Sequence, residues 1–479
     1  MIGTIHEECG LFGVILPKRS DVAHLAYYGL YALQHRGQEG AGIAVCDDGV
    51  IRVYKDAGLV NEVFDKLTLS NMGEGEMAIG HVRYGTTGNN PRLNVQPLVI
   101  NHLKGRMALA HNGNLTNDAT LREKLELNGS IFHTTSDTEV IAYMLTKHRL
   151  TSTSIEEALS KTMLDISGAY SLLILTDRKL VAARDPYGFR PLCMGSFEGG
   201  YVFASESCAL DSVGAKFIRD VEPGEIISVD LDGKIKSDKT HCGKVDRALC
   251  VFEMIYFARP DSVIDSSPVQ EARQRAGAFL ALEHPAQADV VIGVPDSGIE
   301  AALGFAKQSG IPYGIGFIKN KYIGRTFIVP NQKARENDVR IKLNPIAATV
   351  KGKRVILIDD SIVRGTTSQR IVRLLREAGA KEVHFRSAAP KFLYPCYFGT
   401  DIDSSENLFA YKYTDEEMKR ILNVDSLGFL SLEDVVKLAP CAKGGFCTAC
   451  FSGSYPVEVP KNHEKDKYSR PLSNKEGGR

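Results

Sequence analysis

The chain carries no surplus of either charge: 58 lysines and arginines stand against 58 aspartates and glutamates. Broad binding of nucleic acid needs excess cations to displace counterions, so that class is excluded and any anion site must be local. No apolar run approaches the roughly 18 residues of a membrane span. Nor does the N-terminus show a basic stretch followed by an apolar core; Glu7 and Glu8 stand there instead. No secretory leader is therefore read, and a cytoplasmic location is expected. No G-x-G-x-x-G follows a strand-like run and no G-x4-G-K-[ST] occurs, which leaves dinucleotide and P-loop chemistry without support. There is no internal repeat.

What is present is enough chain for two cores. At 479 residues, and with typical domains of about 100 to 200 residues, a single core is too small an answer. Residues 9–240 alternate short strand-like runs such as GLFGVIL, GIAVC, MAIGHVRYG and RMALAHNG with helical patterns. One such pattern places Val22, Leu25, Ala26, Gly29, Leu30 and Leu33 at spacings of three and four. Residues 241–455 repeat strand, helix, strand, as in DVVIGV, VILIDD and EVHFRSAA, which implies right-handed crossovers and a parallel sheet. The polar stretch KSDKTHCGKVDR marks the boundary. The charged tail, residues 456–479, lacks apolar periodicity and is expected to be mobile. The expected fold class is thus α+β or layered α/β/α first, then a doubly wound α/β core.

In the second core, VILIDDSIVRGTTSQR runs a buried strand into two adjacent carboxylates, Asp359 and Asp360, then into a small-residue loop that opens a helix. Free N–H groups at a helix N-terminus bind phosphate. Carboxylates at a strand's carboxyl end can hold sugar hydroxyls directly or through a divalent metal. A phosphate at one end and a diol at the other describe a phosphorylated pentose. The string resembles the type I phosphoribosyltransferases, which bind phosphoribosyl pyrophosphate (PRPP). That resemblance implies ribose and Mg2+ contacts at Asp359 and Asp360, and a 5-phosphate cradle of Arg364, Gly365, Thr366, Thr367 and Ser368. It also implies a pyrophosphate loop in VPDSG, with Ser297 able to ligand Mg2+, and a basic closing loop beginning at Lys319.

The first core poses a different question at its start, MIGTIHEECGLFGV. Cys9 precedes an apolar run and follows eight residues that suit neither strand nor helix. Were residues 1–8 removed, the thiol of Cys9 would gain an α-amine with a pKa near about 8, a weak base able to activate it. Four polar loops follow in QHRGQEGAG, GHVRYGTTG, HNGNL and TSDTE, and a fifth in RDPYGFRPL. Each carries a group that a small polar substrate could use. The set resembles the class II glutamine amidotransferases, which are N-terminal nucleophile hydrolases with an αββα fold. The resemblance implies Cys9 as nucleophile and residues 1–8 as a propeptide. It implies Asn112 and the N–H of Gly113 as oxyanion donors, Arg83 on the glutamine carboxylate and Asp137 on its ammonium.

Joined in one chain, the halves resemble the amidophosphoribosyltransferase family, in its iron–sulfur branch. The expectation is synthesis of 5-phosphoribosylamine from glutamine and PRPP at the head of purine synthesis, in a homotetramer inhibited by purine nucleotides. The same resemblance implies a [4Fe–4S] cluster on Cys250, Cys396, Cys447 and Cys450. Their spacing alone equally permits structural zinc, and Cys441 is an alternative ligand. Cys46, Cys193 and Cys208 lie in strand-like surroundings and are read as core thiols.

Overall fold

The computed structural model describes residues 9–84, 92–320, 343–400, 402, 404–439 and 444–460. Residues 1–8, the basic segment from 321 to 342, Cys441 and tail residues 461–479 lie outside them.

Two antiparallel sheets stack in the first half. The seven-stranded sheet runs in the order Lys216–Asp220, Cys193–Phe197, Gly200–Ala204, Gly10–Ser20, Gly75–Arg83, Gly40–Asp47, Val50–Ala57. The six-stranded sheet runs Ile235–Asp238, Ile226–Asp230, Lys179–Arg184, Gly168–Leu175, Gly105–Leu115, Leu98–His102. Leu11, Ile79, Leu173 and Leu180 fill the space between them. Helix Val22–Ala32 covers one outer face through Val22, Ala26 and Leu30, the spacing that its sequence announced. Its first turn is capped by Asp21, whose carboxylate accepts from the N–H of His24 at 3.2 Å. Helices Asp137–Thr151 and Ile155–Asp165 cover the other face. Strand Gly168–Leu175 is buried along its whole length, which explains a sequence without polar alternation. The result is the αββα sandwich.

The second half holds a parallel four-stranded sheet in the order Val290–Gly293, Arg354–Asp359, Glu382–Ser387, Ser426–Phe429. Helices Val269–Glu283 and Gly298–Ser309 pack on one face and Thr366–Glu377 with Asp415–Leu422 on the other. This is the doubly wound core. Between the halves runs a single π-helical turn, Glu253–Phe257, which no periodicity announces. Such turns are uncommon and concentrate at functional positions.

Candidate functional site

Cys9 sits half-buried immediately before strand Gly10–Ser20. Its thiol donates weakly to the carbonyl of Tyr84 at 3.8 Å, and its own carbonyl accepts from Arg36 Nε at 3.0 Å. Arg83 ends the neighbouring strand, buried, with Glu39 at 3.9 Å. Across the sandwich, His81 Nε2 lies 3.1 Å from the carbonyl of His111. A carbonyl can only accept, so Nε2 carries the proton. Burial, then the charge of Arg83, pushes the pKa of His81 down to about 3, and the ring is neutral at working pH. This bond joins the strand ending in Arg83 to the strand carrying Asn112.

Asn112 is buried, and neither atom of its carboxamide has a hydrogen-bond partner among the described residues. Leaving such a group unpaired costs about 1 to 3 kcal/mol, so the position is built for something that arrives later. Next to it Gly113 has φ of 140°, and a Cβ there would stand 2.1 Å from the carbonyl oxygen of Ala169. Only glycine fits. Asp137 opens its helix and accepts from the N–H of Leu115 at 2.9 Å, with His111 Nδ1 3.5 Å away. Burial works against the Asp137 carboxylate, yet His111 and these donors hold its pKa below the ordinary range. It is an anion ready to meet a cation.

The second site lies at the carboxyl end of the parallel sheet. Asp359 and Asp360 are both buried. Ser297 and Ser361 each donate to Asp360 at 2.5 Å. Burial and then the adjacent Asp360 carboxylate push Asp359 well above the usual carboxylate range; Asp360 is raised as well, chiefly by burial. Two carboxylates in this state fit a divalent cation, which would relieve both effects. Gly365, at φ of 77°, starts helix Thr366–Glu377, and a Cβ would stand 2.8 Å from the ring of Phe409. Thr367 Oγ1 and Arg370 Nη1 are shielded from solvent without partners among the described residues, which suits a phosphate. Across the loop VPDSG, Lys319 reaches Asp296 at 2.5 Å.

The third arrangement is a small cavity walled by Phe189, Phe252, Phe392 and Phe398, into which Cys250, Cys396, Cys447 and Cys450 all face. Cys250 and Cys447 are register partners in a short parallel pair. The carbonyl of Cys450 accepts from the N–H groups of Leu393 and Tyr394 at 3.0 and 3.1 Å. Burial pushes the Cys447 thiol up to about 12 and holds Cys450 well above the ordinary thiol range, where the other three sulfurs add to the effect. Among the described residues no group of three His, Cys, Asp or Glu side chains meets at a point suited to a single metal ion. Four thiols spread around one enclosed cavity suit a multi-iron group better than a mononuclear zinc.

The glutamine amidotransferase domain family matches residues 83–212, and the phosphoribosyl transferase domain family matches residues 270–390. Over 471 residues the chain is 50% identical to the amidophosphoribosyltransferase of Methanocaldococcus jannaschii, covering 95% of this chain and 99% of that one. The chain belongs to the amidophosphoribosyltransferase family. The Bacillus subtilis relative is 46% identical over 460 residues, 95% of each chain. A solved structure described as glutamine PRPP amidotransferase from B. subtilis complexed with ADP and GMP superposes with a TM-score of 0.87 at 45% identity. It covers 95% of this chain and 99% of its own.

Within this family frame, the loop RDPYGFRPL has a place other than the one its sequence suggested. Read as offering a polar group to a small substrate, it is engaged in structure. Arg184 pairs with Asp265 at 2.8 and 3.0 Å, Asp185 accepts from the N–H groups of Tyr187 and Gly188, and Phe189 walls the cysteine cavity. The expected core thiols Cys46, Cys193 and Cys208 are buried. Sequence reasoning missed Arg36, Glu206 and Glu253, all buried, with Arg36 paired to both carboxylates. Three buried charges scattered over 217 positions leave no local pattern to read.

Proposed function

We propose that Cys9, freed of residues 1–8, attacks the carboxamide carbon of glutamine. Its new α-amine takes the thiol proton. The tetrahedral oxyanion is received by Asn112 Nδ2 and the N–H of Gly113, donors already in place before the charge develops. Arg83 pairs with the substrate carboxylate and Asp137 with its ammonium. Collapse releases ammonia and leaves a glutamyl thioester, which water cleaves to glutamate and the free thiol. The ammonia travels inside the protein to C1 of PRPP, because in bulk water at pH 7 it is mostly protonated. Attack there, with inversion, expels pyrophosphate and yields 5-phosphoribosylamine, the opening compound of purine synthesis.

Asp359 and Asp360 would hold Mg2+ and the ribose hydroxyls, with Ser297 beside them, while Arg364, Gly365, Thr366, Thr367 and Ser368 cradle the 5-phosphate. Bound Mg2+ supplies neutralisation of the leaving pyrophosphate. Cys250, Cys396, Cys447 and Cys450 would hold a [4Fe–4S] cluster, whose part is to pin the C-terminal segment to both cores. The ADP and GMP of the B. subtilis structure support purine nucleotides as inhibitors. Homotetrameric assembly and removal of residues 1–8 are proposed on the family alone. No helix among the described residues is long and apolar enough to cross a membrane; a cytoplasmic location is proposed on the sequence reading.

The observation that carries this reading is the unpartnered, buried carboxamide of Asn112 beside Gly113. The test is glutamate release by anaerobically purified protein, with and without PRPP and Mg2+. Strong stimulation by PRPP is the expected result; release indifferent to PRPP would point to another acceptor.

A further inference from the structure

A π-helical turn bonds an N–H to the carbonyl five residues back, one residue further than an α-helix does. In the turn Glu253–Phe257 the N–H of Ala258 donates in this way to the carbonyl of Glu253 at 3.2 Å. The α alternative would move the same N–H to the carbonyl of Met254. That carbonyl is already engaged: Arg273 Nε donates to it at 3.0 Å. Nη2 of the same guanidinium donates to the carbonyls of Tyr256 and Ala258 at 2.9 and 2.6 Å. Arg273 is buried, and the groups it serves are among the carbonyls that a helix leaves unpaired at its C-terminal end. A planar fork that reaches three of them favours one register of the turn over the other.

The register bears on both reaction sites. Glu253 opens the turn and accepts from Arg36 at 2.7 and 2.9 Å, and Arg36 Nε holds the carbonyl of Cys9 at 3.0 Å. A one-residue change of register would turn Glu253 away from that grip. On the other side, Arg273 lies in helix Val269–Glu283, which meets helix Gly298–Ser309 backbone to backbone. A Cβ on Gly304 would stand 1.8 Å from the carbonyl oxygen of Gln274, and one on Gly277 1.8 Å from that of Ala301. Elements packed this closely transmit displacement. The second helix begins directly after Ser297, which donates to Asp360 at 2.5 Å.

We propose that Arg273 is a positioning residue that holds the turn in its π register, and that through it a change at the Ser297 loop reaches the backbone of Cys9. The proposal rests on the two-site reading above and names the route by which PRPP stimulates glutamine cleavage. With Arg273 in place, a shift of the loop passes along the paired helices to the turn, to Glu253 and to Arg36. Without it the turn can take the α bond, and the shift ends at helix Val269–Glu283.

The test measures glutamate release by anaerobically purified full-length protein with and without PRPP and Mg2+, together with synthesis from ammonium salts. In Arg273→Met the stimulation by PRPP should fall at least about fivefold, the lower end of ordinary coupling between sites. Synthesis from ammonium salts should stay at the parental level. Arg273→Lys, whose compact ammonium replaces the planar fork, should show intermediate stimulation. A merely structural role would lower both activities together at an unchanged stimulation ratio; a parental ratio in Arg273→Met overturns the proposal. Should that variant not fold, hydrogen exchange in the parent decides. PRPP with Mg2+ should then alter the protection of residues 253–258, and unchanged exchange there, in protein whose glutamate release is stimulated, overturns the proposal instead. Glutamate release indifferent to PRPP in the parent sinks the two-site reading and this proposal with it, an outcome separate from the others.

Discussion

Arg36 Nε donates to the carbonyl of Cys9 at 3.0 Å while the same guanidinium grips Glu206 at 2.6 Å and Glu253 at 2.7 Å. The backbone of Cys9 is thereby fastened to a carboxylate on the π-helical turn Glu253–Phe257. Burial alone would lower the pKa of Arg36; the two carboxylates more than reverse that and keep it charged. Replacing Arg36 by Met leaves two buried carboxylates short of their partner. Breaking a buried pair in this way costs about 3 to 5 kcal/mol. Thermal unfolding of Arg36→Met should show a large fall in Tm, with glutamine-dependent synthesis lost before ammonia-dependent synthesis.

Cys9→Ala should abolish glutamine-dependent synthesis and leave synthesis from ammonium salts, since the second site does not use the thiol. Intact mass of the parent should correspond to a chain starting at Cys9. A parent beginning at Met1 with full glutaminase activity would require another base for the thiol.

Asn112→Ala should lower kcat of glutamine hydrolysis by about 100- to 1,000-fold, the usual effect of removing one oxyanion donor. The KM should change little, because the donor acts on charge that develops only in the transition state. A rise in KM at constant kcat would instead make Asn112 a substrate-binding group.

Gly113→Ala tests sterics where Asn112→Ala tests charge. A Cβ at 2.1 Å from a backbone oxygen, on a residue at φ of 140°, forces the strand to shift. Strained backbone of this kind costs about 1 to 3 kcal/mol before any clash. Differential scanning calorimetry should therefore show a lower Tm as well as lost glutaminase activity.

Asp359 and Asp360 make stability and function oppose each other. Their pKa values are raised in the folded protein, whereas an unfolded aspartate titrates near about 3.9. The native state thus binds protons more tightly, and ligand-free stability falls as pH rises from about 4 through the raised values. Asp360→Asn should raise the Tm of ligand-free protein at pH 7.5 and lose PRPP turnover. An unchanged or lowered Tm would show that the mutual repulsion is already relieved.

Local signals made much of this legible. A continuous apolar run located Gly10–Ser20, whose first seven residues are buried on both faces, and period-3.6 patterns located Val22–Ala32 and Thr366–Glu377, because burying one face of a helix leaves its repeat in the sequence. Asp359 and Asp360 were legible because strand, carboxylates, loop and helix are contiguous. RDPYGFRPL misled because a loop of polar residues looks alike whether it meets a substrate or, as here, Asp265 and Phe398.

By itself the sequence determined the two cores, the apolar periodicities that build them, the phosphate-loop helix with its paired carboxylates, and the cysteines available for a metal group. Tertiary structure alone decided which charges meet. Arg36, Glu206, Glu253 and Arg190 come from four separate segments, and only chain folding sets the distances of 2.6 to 3.5 Å at which they act. The physical reason is range: hydrogen-bonded repeats are written over a few neighbouring residues, whereas a buried ion pair requires that both partners leave water together at one point in space.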